Sequence, residues 1–338
     1  EKYQLMPWPQ SAGEDPAWSL QHDGPAHLIE FFRQSPGSDR EDQLSLLIDA
    51  LNAAYKSEGR DLWEEVDAEA HLFTLLMQLD ALIGLHAPST QALAAKKNTR
   101  KIESDLESAI STMRRRSPYR HPLAHYGLAT DAMRRKIHRT KPKLLDSSLF
   151  GAFVNMHDSS RAVALNSLRG YDSLFDAFIA LDEAFSKEYP VNHASPQKTV
   201  LWGRYPLDPY NGNPYSQFIF TNGNPWVIAS LWRSRFLLVL AADIEHSPTF
   251  VWDRGAGERL LQHLEIDTHD REEIVAALQL HAKDQFQRVT SFLTAEAPAP
   301  EQLDRVTGKP QGVQHLAWSA VEIFRTAQAV DPFPTRDL

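Results

Sequence analysis

The sequence predicts an all-α protein, and three observations carry that prediction. Apolar residues recur at helical spacing along most of the chain. Two-residue alternation is scarce, with Gln217-Phe218-Ile219-Phe220 the one short strand candidate. Pro and Gly gather at Pro7–Pro25, Tyr205–Pro225 and Ala295–Gly312, as loops between helices do. Taken in order, Leu44, Leu47, Ile48, Leu51 and Tyr55 form one stripe, and Leu72, Leu75, Leu76, Leu79, Leu82 and Ile83 the next. Leu174, Phe175, Phe178, Leu181 and Phe185 form a third, stopped by Pro190. Trp226 to Ala242 is apolar on most faces and reads as a buried helix. Ile274, Leu278, Phe286, Val289 and Phe292, then Leu316, Ala320, Ile323, Phe324 and Ala327, complete a set of about eight to ten helices.

Composition narrows the function. With 42% hydrophobic and 23% charged residues, the 338-residue chain has material for a sizeable core and is neither fibrous nor mainly disordered. The longest apolar run, Phe236–Ala242, is far short of the roughly 18–20 residues that span a bilayer. The absence of cysteine removes disulfides, thiolate metal sites and cysteine nucleophiles. The chain opens Glu1-Lys2-Tyr3-Gln4, without an initiator Met or a leader, which reads as a processed chain or a fragment. Net charge is −9, but Lys96 to Lys143 holds 14 basic and 4 acidic residues. An acidic body with one basic segment argues against nucleic-acid binding by the whole protein.

Three constellations bear chemistry. In Asp61-Leu62-Trp63-Glu64-Glu65-Val66 two carboxylates adjoin an indole, whose low dielectric raises a carboxyl pKa as a general acid requires. The competing reading is a charged helix N-terminus. In Glu301-Gln302-Leu303-Asp304 a carboxylate in a Pro-flanked loop, backed by Trp318, has the makings of a general base, or is a plain loop acid. Gly203-Arg204-Tyr205-Pro206-Leu207-Asp208-Pro209-Tyr210, followed by Asn222-Gly223-Asn224-Pro225-Trp226, offers charge-assisted hydrogen bonds and flat apolar faces. The alternative is a turn-rich loop that caps the following helix. His121 and His125 are four apart, but Pro122 intervenes and no acidic partner is near, so they read as loop histidines rather than metal ligands.

Together, and in this order, the pieces resemble the catalytic domain of glucoamylases, the family-15 glycoside hydrolases. They are Trp18 with Asp23-Gly24-Pro25-Ala26, Asp61–Val66, Asp158-Ser159-Ser160-Arg161, Gly203–Trp226, Glu301–Asp304 and Leu316-Ala317-Trp318-Ser319. The resemblance implies an (α/α)6 toroid over a single domain, residues 1–338, that releases β-glucose by inversion from the non-reducing ends of α-1,4 glucans. It implies Glu64 as general acid and Glu301 as general base. Leu62, through its backbone, Glu65 and Arg204 would hold sugar hydroxyls, with Asp208 supporting the Arg204 loop. Trp18, Trp63, Tyr210, Trp226 and Trp318 would line or support the pocket. No metal or organic cofactor is implied, since two carboxyls suffice for glycoside hydrolysis. The implied partners are maltose, starch and glycogen, with neither nucleic acid nor membrane expected. The resemblance points to secretion, while zero cysteines equally permits the cytosol.

The sequence also departs from the family's pattern. The N-terminal helices that carry a Trp-Arg-Asp grip on the terminal glucose have no match, so the toroid is expected to be incomplete at its N-terminus. Leu207 stands where a Glu is usual and Ala317 where a Thr is usual. Residues from about 117 to 145 have no counterpart and form a basic insert; Arg114-Arg115-Arg116 lies just before it and Arg134-Arg135-Lys136 within it. Two rival readings follow: phosphate contacts through that segment, and a non-catalytic glucan-binding or regulatory barrel. Retention of Glu64 and Glu301 argues against the second.

Overall fold

The computed structural model describes residues 26–27, 47–48, 59–60, 62–63, 67–68, 70–83, 100–101, 104, 125–126, 145–168, 170–193, 199–212, 223–247 and 255–331. Among them are eight α-helices: α1 (Leu72–Ile83), α2 (Ser148–Asn155), α3 (Asp158–Leu168), α4 (Asp172–Glu188), α5 (Val227–His246), α6 (Ala256–Leu264), α7 (Arg271–Ser291) and α8 (Ala317–Val330). The strands among the described residues are two residues long and pair as three antiparallel ribbons. β1 (Gly59–Arg60) pairs with β2 (Asp67–Ala68), β3 (Ala70–His71) with β4 (His125–Tyr126), and β5 (Gln302–Leu303) with β6 (Pro310–Gln311). The fold is all-α, and no helix among the described residues is long and apolar enough to cross a membrane.

Local chemistry sets the helix limits. Asp270 caps α7, its carboxylate accepting the N–H of Glu273 at 3.0 Å, and Glu272 and Glu273 favour the positive end of the helix dipole. Pro190 forces Tyr189 into extended backbone and ends α4. Helix α6 stops at Glu265, which adopts a left-handed conformation.

Helix α5 organises the core, packing against α7, α8 and α2. The expected buried helix is there, and its first ten residues include Arg233, fully buried. Phe150 of α2, Phe178 of α4, Phe236 of α5 and Trp202 in the segment between α4 and α5 pack with ring centroids 4.8–6.1 Å apart.

Helix α8 differs from its sequence reading. Its apolar stripe was expected to face the core, yet Phe324 is 59% exposed and Val321 47%. The buried residues are Ser319, Glu322 and Thr326. Polar partners decide the orientation: Ser319 donates to the carbonyl of Pro300 at 2.8 Å, and Glu322 accepts Arg235 of α5 at 2.8 Å. His125, read as a loop histidine, lies in β4 opposite His71. The strand candidate Gln217–Phe220 and most of the Leu44–Tyr55 stripe lie outside the described residues; Leu47 and Ile48 of that stripe are helical and buried.

Candidate functional site

The Asp61–Val66 segment is bracketed by a ribbon, with Gly59 opposite Ala68 and Arg60 opposite Asp67. The next helix begins only at Leu72 and has no acid in its first turn. Leu62 and Trp63 occupy a turn; Leu62 is half-buried against the core and Trp63 is buried. Glu64 and Glu65, like Trp18, lie outside the described residues.

Trp63 is the centre of an indole cluster. Its ring lies 5.4 Å from Trp226, 6.0 Å from Trp232 and 6.2 Å from Trp318, centroid to centroid, and stacks on the last at 29°. Three segments far apart in sequence thus bring Trp63, Trp226 and Trp318 into contact. Trp63 donates its indole N–H to Asp146 at 2.8 Å.

Arg204 adds the charge. Its Nε and Nη2 donate to the two carboxylate oxygens of Asp208, both at 2.7 Å, in a two-point pair that is almost wholly buried. Asp208 also accepts the N–H of Tyr210 at 2.9 Å, so the loop closes on its own carboxylate. The Arg204 guanidinium carbon sits 4.9–5.7 Å from the rings of Tyr210, Trp226, Tyr205 and Trp63.

Glu301 enters from the base of the β5–β6 ribbon. Its N–H donates to the carbonyl of Val313 at 2.7 Å, and Val313 returns its own N–H to the Glu301 carboxylate at 3.2 Å. The Glu301 carbonyl accepts the N–H of Val227 at 3.2 Å, which fastens the ribbon to the start of α5. Tyr210 donates its hydroxyl to the other carboxylate oxygen at 3.3 Å. Burial, then the charge of Glu301 and this hydrogen bond, pushes the Tyr210 phenol up to about 12, so it remains a donor at neutral pH. Gly312, just past the end of β6, faces the carboxylate at φ 69°, and a Cβ there would meet Oε2 of Glu301 at 2.4 Å. At the ribbon's tip Asp304 accepts the N–H groups of Val306 and Thr307 and the Thr307 hydroxyl. Burial pushes the Asp304 carboxyl up, but these Thr307 and Val306 donors outweigh it and keep it below the ordinary range.

Among the sequence-predicted residues, then, Trp63, Arg204, Asp208, Tyr210, Trp226, Glu301 and Trp318 converge. A cavity of about 470 Å³ adjoins the indole cluster, lined by Leu62, Trp232 and Trp318 with Phe73, Asp80 and Glu322. Among the described residues no group of three His, Asp or Glu side chains is placed to hold a metal. A firmly held carboxylate, a paired guanidinium and flat indole faces suit a ligand that alternates hydroxyls with apolar C–H surface.

Sequence reasoning missed Asp146, Ser147, Trp232 and Gly312. Asp146 preceding an apolar run reads as a helix start, and it does accept the N–H of Ser148 at 2.9 Å. Its bond to Trp63, 83 residues away, left no local signal. Gly312 lies in a loop already flagged by its glycines, but only the positive φ and the carboxylate opposite mark it out.

Comparisons with known proteins bear on the family and the fold. The profile described as Glycosyl hydrolases family 15 matches residues 1–328. The protein is 26% identical to the intracellular sporulation-specific glucoamylase of Saccharomyces cerevisiae, over 93% of this chain and 65% of that one. The glucoamylase of Saccharomycopsis fibuligera superposes with a TM-score of 0.68 at 20% identity, over 92% of this chain and 70% of that one. The family-15 glucoamylase of Hypocrea jecorina superposes with a TM-score of 0.71 at 19% identity, over 92% and 52%. The chain thus spans 65% of the length of its yeast relative, and its fold is the glucoamylase toroid. A match over nearly its whole length makes this chain a member of glycosyl hydrolase family 15.

Proposed function

We propose that the protein hydrolyses the terminal α-1,4-linked glucose at non-reducing ends of starch- or glycogen-type glucans, maltose being the smallest substrate. Glu301 acts as general base on a water, and Glu64 as general acid on the glycosidic oxygen. The product is β-glucose, because water attacks the face opposite the leaving group. The observation that carries this reading is the Glu301 carboxylate, buried and oriented by Val313 N–H and the Tyr210 hydroxyl beside the Arg204 and tryptophan wall. A base fixed in this way needs no reorganisation when the proton moves. Inversion asks for about 6.5–9.5 Å between the two carboxyls, room for one water. Trp63, next to Glu64 in sequence, supplies the apolar neighbour that keeps an acid protonated.

The test is to incubate the protein with maltose and follow the anomeric protons by NMR. β-Glucose should appear first. Glu301→Gln should lower turnover by several powers of ten with maltose binding nearly unchanged. α-Glucose as first product, or full activity in Glu301→Gln, contradicts the mechanism. Maltose binding without hydrolysis in the unaltered protein points instead to a non-catalytic glucan-binding barrel.

A further inference from the structure

Asp146 and Ser147 are adjacent in sequence, and each reaches a different wall of the site. Asp146 Oδ1 accepts the Trp63 indole N–H at 2.8 Å. Ser147 donates both its backbone N–H and its hydroxyl to the carbonyl of Arg204, each at 2.9 Å. Both residues are buried, Asp146 at 2% exposure and Ser147 at 0%. They lead into α2, which has no slack against α5: a Cβ on Gly151 would meet the Trp232 ring at 2.7 Å. Asp146 and Ser147 therefore lead directly into a closely packed helix, and through them the Trp63 turn and the Arg204 loop are tied to its start.

We propose that Asp146 is a positioning residue for hydrolysis: through Trp63 it sets the Leu62–Trp63 turn, which Glu64 follows in sequence, while Ser147 sets Arg204. The sugar-holding guanidinium and the turn of the acid thereby share one reference frame. This rests on the glycosidase reading above, in which Glu64 is the acid. An indole N–H buried among tryptophans loses its bond outright when its acceptor is removed, since water does not replace it. A shift of about 1 Å in a catalytic segment costs on the order of 100-fold in rate.

The experiment compares Asp146→Leu, which removes the acceptor, with Asp146→Asn, which keeps an oxygen there, and with Ser147→Ala. Protein labelled with 15N-tryptophan gives the Trp63 indole N–H resonance, assigned by its loss in Trp63→Phe. Maltose hydrolysis gives kcat and KM separately. Asp146→Leu should move that resonance, speed its solvent exchange at least about tenfold, and lower kcat about 100-fold with KM within about threefold. Asp146→Asn should recover kcat to within about tenfold of wild type, and Ser147→Ala should affect KM more than kcat. An unmoved indole resonance in Asp146→Leu overturns the proposal, as does equal loss of kcat in the Leu and Asn variants. If Asp146→Leu does not fold, Asp146→Asn with an unshifted indole and a full 100-fold loss overturns it. If the unaltered protein does not hydrolyse maltose, the glycosidase reading falls, and the indole resonance still reports on the Asp146 bond.

Discussion

Arg204 with Asp208, and Arg233 with Asp182, are the same ion pair built in two places. Each uses Nε and Nη2 against both carboxylate oxygens, at 2.7 Å in the first and 2.8 Å in the second, and each is buried. Their neighbours differ. Arg204 and Asp208 are four residues apart in one loop, under the rings of Trp63, Tyr205, Tyr210 and Trp226. Arg233 and Asp182 join α5 to α4 across 51 residues. There Asp182 also accepts the Trp202 indole at 2.6 Å and contacts His263 at 2.9 Å, while Arg233 donates to Gln285 of α7 at 3.2 Å. The first pair sits in a loop under aromatic rings, where the proposed function gives it a ligand to face; the second joins two helices. The ion-pair geometry is common to both, so what each pair does follows from its surroundings.

The comparison is broken most forcefully at the joint. Asp182→Ala strands a charged Arg233 in the core and should cost about 3–5 kcal/mol, read as a lower denaturant midpoint at unchanged slope. Replacing both partners, Asp182→Leu with Arg233→Met, should recover much of that loss, because a well-packed apolar pair avoids the desolvation cost. The same double replacement at the site, Asp208→Leu with Arg204→Met, should likewise spare stability but not activity. Thermal stability should stay within a few degrees, while kcat/KM for maltose falls about 100- to 1,000-fold, a loss of about 2.7–4 kcal/mol of transition-state stabilisation. Equal kinetic and thermal losses in the two doubles would erase the distinction.

A smaller effect is visible in pH. Burial pushes the Asp182 carboxyl up, but Arg233, and then His263, outweigh it and hold it below its ordinary value. Its unfolded value is near 3.9, so its contribution is complete above about pH 4 and is lost as pH falls through the lower folded value. Wild type should therefore lose stability below pH 4 more steeply than Asp182→Asn, as acid titration at several urea concentrations would show. The smallest change is His263→Ala. Its ring is 23% exposed and one of several partners of Asp182, so the loss should be about 0.5–1.5 kcal/mol in chemical denaturation, with maltose kinetics unaltered.

The contrast also explains what was legible in the sequence. The Arg204–Asp208 pair, the Trp226 that follows it and the Glu301 loop announce themselves because their residues lie close together in chemically marked stretches. The helix period locates α1, α4 and α7 for the same reason, since 3.6-residue recurrence is local, and a continuous apolar stretch locates α5. The joint of Asp182 with Arg233 was invisible, since a charge on an otherwise apolar helix carries no sign of its partner 51 residues off. Helix α8 misled because its stripe is apolar while its partners on α5 are polar: Arg235 draws Glu322 inward and leaves Phe324 outside. Periodicity finds a helix, but which face turns inward depends on the surface it meets.

The four indoles of Trp63, Trp226, Trp232 and Trp318 make the site its own optical reporter. Fixed aromatic rings give a near-ultraviolet circular dichroism signal that vanishes when side-chain packing loosens, even while the helices persist in the far ultraviolet. These rings come from the Leu62–Trp63 turn, the start and first turns of α5, and the start of α8. The part of the near-ultraviolet band lost in Trp63→Phe therefore registers whether three distant stretches of chain have met, with no ligand or turnover required. A sample that is fully helical but lacks that part of the band has folded its scaffold without assembling its indole cluster.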